Sequence, residues 1–170
     1  MSISESLLPE YDEEMANTRK LLERTPEDKL DYKPHPKSMA LGQLAGHIAD
    51  IPMWGKMTMD TEVLNLDNSF KSFQPTSRQN LIETFDKAVA ETREAFQKAT
   101  DQDWQVVWTM NWNGQQIMSL PRIAVIRSMI MNHLIHHRAQ LGVFLRLNNV
   151  EIPGMYGPSA DDMAAFAAQT

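Results

Sequence analysis

Apolar residues recur at three- and four-residue steps in four long segments of this chain, the spacing that lays a hydrophobic stripe along one side of a helix. The first segment, about Glu5 to Glu23, aligns Leu8, Tyr11, Met15, Thr18 and Leu22. Asp12, Glu13 and Glu14 lie near its start, where acidic side chains suit the helix dipole, and Thr25-Pro26 stops it. The second, about Ala40 to Asp60, aligns Leu41, Leu44, Ile48, Ile51 and Trp54; Pro52 inside it predicts a kink or a split. The third, about Arg78 to Thr100, aligns Leu81, Phe85, Val89, Thr92, Phe96 and Ala99, with Thr76 or Ser77 as its cap. The fourth is the longest, about Leu120 to Leu147, with Ser119 as cap and Pro121 in its first turn.

Between the third and fourth segments the period changes. Val106, Trp108, Met110 and Trp112 alternate at every second position, and Asn113-Gly114 is a hairpin turn signal. A short β-hairpin or an ordered loop is expected there, before the last helix. After Asn148-Asn149, Pro153, Gly154, Gly157 and Pro158 mark an irregular tail. The expectation is an all-α chain: one domain, residues 1–170, built as an antiparallel four-helix bundle with a long second connection.

Composition narrows the function classes. A formal charge of −6 and a pI near 5.3 argue against a grip on nucleic acid or on an anionic membrane, both of which need clustered Lys and Arg. The chain has no cysteine, so it offers neither disulfides nor thiolate ligands, and any thiol chemistry must bring its sulfur in a small molecule. The N-terminal residues carry no basic and apolar signal pattern, and no apolar run nears the ~20 residues that span a bilayer. A soluble cytoplasmic protein is expected.

The histidines carry the chemistry. His133 and His137 stand four apart in Asn132-His133-Leu134-Ile135-His136-His137-Arg138, so both project from one helix face, the one that also bears Ile126, Ile130, Leu141 and Phe144. His47 takes the equivalent inward position on the second helix, between Leu44 and Ile51. A lone histidine in an apolar stripe is usually a satisfied core residue. Three inward imidazoles on two helices need a common partner, and a divalent ion such as zinc or nickel supplies one. Three protein ligands leave a coordination position open, the pattern of a catalytic site. His136 lies about 100° around the helix and falls outside the set; His35 sits in a loop.

These residues, and the runs around them, give the chain a family likeness. It resembles the DinB-like (damage-inducible) family of helical-bundle metalloproteins through Asn132 to Leu141, Leu145-Arg146-Leu147-Asn148, Tyr156 to Asp161, and Leu41 to Asp50. Ala139 and Ala40 depart from the family pattern, where glycine and a capping hydroxyl are common. The resemblance implies an up-down-down-up bundle, a metal on His47, His133 and His137, and a homodimer. Characterised relatives include thiol S-transferases and a thiol-dependent isomerase that use small-molecule thiols. The expected function is therefore a metal-dependent enzyme of thiol S-transferase type acting on a small-molecule substrate. The alternatives are a metal-dependent hydrolase, for which Asp50 is the nearest acidic residue in sequence, and a non-catalytic metal-binding stress protein.

Gln43, Asp50, Asn132, Arg138 and Gln140 flank the ligands, and Arg138 suits a substrate carboxylate. Helix-surface polarity or hydrogen bonds to the imidazoles are the plainer roles for all five. Trp54, Trp104, Trp108 and Trp112 suit either a pocket mouth or the core.

Overall fold

A computed structural model describes residues 1–169. Helix α1 (Ile3–Leu22) begins two residues earlier than the stripe suggests. Ser2 and Glu5 set that start: the Ser2 hydroxyl accepts from the Glu5 N–H at 3.1 Å, and the Glu5 carboxylate accepts from the Ser2 N–H at 2.7 Å. Helix α2 (Leu41–Asp60) starts after Ala40, which has no hydroxyl to offer. Gln43 compensates in part, its Oε1 accepting from the Ala40 N–H at 2.9 Å.

Pro52 does not split α2. Where the proline disturbs the ladder, Thr92 of helix α3 (Arg78–Lys98) reaches in: its hydroxyl donates to the Pro52 carbonyl at 2.6 Å and accepts from the Lys56 N–H at 3.2 Å. Gly55 permits that approach, since a Cβ there would sit 2.6 Å from Thr92 Cγ2. Ser77 caps α3, accepting from the Asn80 N–H at 3.0 Å. A five-residue helix α4 (Asp101–Gln105) follows and carries the fully buried Trp104, whose indole donates to the Ser4 hydroxyl.

The all-α chain with a short β-hairpin or ordered loop is corrected to a mostly helical one with a mixed three-stranded sheet. Strands β2 (Val107–Trp112) and β3 (Gln115–Pro121) pair antiparallel around Asn113 and Gly114, both at positive φ as the tight turn requires. Strand β1 (Val63–Leu66), just after α2, pairs parallel with β2, Val63 opposite Thr109 and Leu66 opposite Trp112. Four residues, Val-Leu-Asn-Leu, are too short a run to show their period; the edge of β2 recruits them.

The start of the last helix also moves. Ser119 lies in β3, its hydroxyl 3.0 Å from that of Thr109, and Pro121 closes the strand rather than opening a helix. The helix starts at Arg122 and runs as α5 (Arg122–Val125), a π-helical stretch (Ile126–Asn132) and α6 (His133–Leu147). The tail is not irregular throughout, since Ser159 caps a further helix, α7 (Ala160–Ala167).

The described residues are thus mostly helical with a small sheet. Helix α3 packs on α1 and α2, and α6 packs on the same two helices. Leu7, Tyr11, Leu44, Ile48, Phe85, Phe96, Ile130 and Leu141 are among the buried residues they share. No helix among the described residues is long and apolar enough to cross a membrane.

Candidate metal centre

Helix α2 supplies His47; the first two turns of α6 supply His133 and His137. All three are half-buried, and one nitrogen from each lies within 4.8 Å of the others. The His133 Nε2 stands 3.3 Å from the His47 Nε2 and 2.9 Å from the His137 Nε2. Ligand nitrogens around a tetrahedral ion at ~2.0–2.1 Å sit about 3.3–3.4 Å apart, so the cluster needs to open only slightly to accept one.

The remaining ring nitrogens decide which atoms face the centre. The His133 Nδ1–H donates to the Met129 carbonyl at 3.2 Å, and the His137 Nδ1–H donates to Gln140 Oε1 at 2.7 Å. Each ring spends its proton outward and turns a lone pair inward. Burial lowers the affinity of both rings for a second proton. It pulls His47 down to about 4, with His137 and His133 adding to the effect. At neutral pH the three are uncharged imidazoles. Two facing lone pairs 2.9 Å apart, with no proton between them, repel; a cation turns that repulsion into bonding. The residues present fit a divalent ion.

The other candidates separate cleanly. His136 is exposed, stacked edge-on against His137 at 4.9 Å between centroids, and outside the ligand set. His35 is an exposed loop residue accepting from the Lys37 N–H. Gln43 caps α2, and Asn132 is exposed. Arg138 does not await a substrate carboxylate: it is buried, paired with Glu14 at 2.7 Å, and bonded to the Tyr156 hydroxyl at 2.6 Å. Asp50 is buried, and burial raises its carboxyl above the ordinary value. Gln140 is the flanking residue that does touch a ligand.

A cavity of about 260 Å³ opens from His47 and His133 toward the sheet. Trp54, Trp108 and Trp112 line it, whereas Trp104 belongs to the core. Leu66 of β1, Ile117 of β3 and Phe70, from the loop after β1, complete its outer wall. None of these three stood out in the sequence; only the β1–β2 pairing brings Leu66 and Phe70 to the mouth.

Comparison with known proteins agrees with this architecture. The family model of the DinB superfamily matches residues 10–141, most of the chain and all three histidines. The chain belongs to the DinB superfamily. An uncharacterised Bacillus subtilis protein, YrdA, is 26% identical over 165 residues, covering 95% of this chain and 93% of that protein. A DinB-like protein of Bacillus cereus superposes with a TM-score of 0.68 at 23% identity, over 91% of this chain and 98% of the other. A second DinB-like structure, YjoA of Bacillus subtilis, gives 0.66 at 17% identity, over 88% and 97%. At these identities the two structures establish the DinB-like fold.

Proposed function

We propose that this DinB superfamily protein is a metal-dependent enzyme of thiol S-transferase type. His47, His133 and His137 would hold zinc or nickel, and the vacant coordination position would face the cavity. The observation that carries the reading is the convergence of three Nε2 atoms on one point, two of them with their ring protons committed elsewhere. When bound, a divalent ion supplies Lewis acidity that lowers the pKa of a thiol or water ligand. The protein's part is to fix the imidazole tautomers through Met129 and Gln140, and to exclude water with the apolar wall.

The absence of cysteine supports a small-molecule thiol as the sulfur source. The open cavity beside the imidazoles supports an enzyme over a closed, purely structural metal site. The hydrolase reading gains no such support, because none of the residues lining the cavity is a carboxylate able to act as a general base. The same reading takes residues 1–170 as one domain whose four long helices run up-down-down-up. It also includes a homodimer, supported by the exposed Val143 and Leu147 on α6 and Met163 and Phe166 on α7.

The test is chelator dialysis followed by readdition of zinc or nickel, assayed with cellular thiols and a neutral chromogenic aryl halide. The expected result is turnover above the spontaneous reaction that requires the ion and falls to background in His137→Ala. A rate indifferent to both would end the proposal.

A further inference from the structure

The cavity beside the imidazoles has walls of unusual chemical uniformity. Among the described residues that line it there is no Asp, Glu, Lys or Arg. Its wall carries three indoles, the phenyl ring of Phe70 and the thioether of Met129. Trp54 and Phe70 meet edge to face at 5.4 Å between centroids.

Two of the polar groups in that wall are already spent. The Trp108 indole N–H donates to the Thr61 hydroxyl at 3.0 Å. The Thr58 hydroxyl donates to the Trp54 carbonyl at 2.8 Å. A charged group entering between these rings would lose its water and gain no donor from Trp108 or Thr58, which is costly. Only the imidazole end offers unspent lone pairs.

We infer that the site takes a neutral, aromatic-bodied small molecule with a single polar head, its head at the imidazoles and its ring among Trp54, Trp108 and Trp112. An aromatic body is favoured over an alkyl one because edge-to-face rings and sulfur–aromatic contacts add to simple burial. Size follows from the volume. At roughly 30 Å³ per water-sized unit, the cavity holds about nine such units, the space of one ring and its head group. Anionic substrates, phosphorylated ones included, are excluded from this cavity unless their charge sits at the metal end. The head-group half of this inference rests on the metal reading above; the ring half does not.

The experiment therefore has two arms on the full-length chain. In the first, calorimetry on the zinc-loaded protein compares acetohydroxamate, benzohydroxamate and 4-carboxybenzohydroxamate. The ring is expected to tighten binding by roughly 30-fold or more, and the distal carboxylate to cancel most of that gain. In the second, benzyl alcohol is titrated into His137→Ala, whose altered residue does not line the cavity. The indole N–H signals of Trp54, Trp108 and Trp112 should move, while that of Trp104, held in the core by Ser4, stays fixed.

Ile117→Arg provides a gain of function at a position 55% exposed, where folding tolerates the change. It should restore binding of the carboxylated hydroxamate at least tenfold by giving the charge a partner. Equal affinity for the three hydroxamates, or an unmoved set of indole signals with benzyl alcohol, would overturn the inference. Shifted indoles together with hydroxamate binding that ignores both zinc and His137→Ala would uphold the ring site and bring down the metal reading alone.

Discussion

Gln140 shows how much of the centre depends on a residue that would never touch the ion. Its amide oxygen takes the His137 Nδ1–H at 2.7 Å and so points the opposite nitrogen inward. Gln140→Ala is expected to lower metal affinity roughly 10–100-fold, read by competition against a chelating dye, with the helix content unchanged. Asp50 poses the opposite problem: burial raises its pKa from the ordinary 3.8, so the ionised form costs stability in the fold. Its favourable share is therefore complete below that ordinary value and is lost as pH rises through the raised one. Asp50→Asn keeps the shape of the side chain and does not titrate. Melting curves should show the variant above the parent at pH 7, with the gap closing as pH falls toward 4. Both residues were visible as neighbours of the histidines in sequence, Gln140 three positions after His137 and Asp50 three after His47. Their facing was not, because a polar residue at the edge of a stripe can turn either way.

At the scale of elements, α2 and the last helix carry irregularities that serve the site. Thr92 bridges the ladder of α2 at Pro52, and α2 therefore carries His47 and Trp54 on one continuous helix. Thr92→Val keeps the shape but removes the hydroxyl that bonds both the Lys56 N–H and the Pro52 carbonyl. A loss of about 1–3 kcal/mol in urea denaturation is expected. The π-helical stretch Ile126–Asn132 ends where His133 begins, and its Met129 provides the carbonyl that orients that ring. Sequence periodicity marked α2 and α3 to within two residues of their ends, since their stripes are long. It misread the join of β3 to the last helix, because Pro121 is equally at home closing a strand and opening a helix. It missed β1 altogether.

For the whole molecule, the sheet acts as a lid support over one end of the helices. Strand β1 brings Leu66 and Phe70 to the cavity mouth, β2 brings Trp108, Met110 and Trp112, and β3 brings Ile117. None of these residues neighbours a histidine in sequence, yet together they set what the centre can admit. The buried Glu14–Arg138 pair with Tyr156 ties α1 and α6 to the tail on a different part of the surface. Val143 and Leu147 lie close to it and are exposed, as are Met163 and Phe166 of α7. If this face joins two copies, light scattering at micromolar concentration should give twice the 19.4 kDa chain mass, and Leu147→Glu should halve it. A monomer in the parent protein would remove the homodimer from the proposed function.

What the sequence determined by itself was local and periodic. A helical repeat of 3.6 residues is enough to put His133 and His137 on one face and His47 on the inward face of another helix, and an alternation of period two puts Trp108, Met110 and Trp112 on a strand. Family-specific runs around those histidines were legible for the same reason: they are contiguous. Tertiary packing alone decided the distances between the three imidazoles, which nitrogen each turns inward, the burial of Arg138 away from the centre, and the parallel pairing of β1. The approach of His47 to the other two, the Arg138–Glu14 pair and the β1–β2 pairing join groups dozens of residues apart that compete for the same hydrogen bonds and the same volume, a contest that no local pattern records.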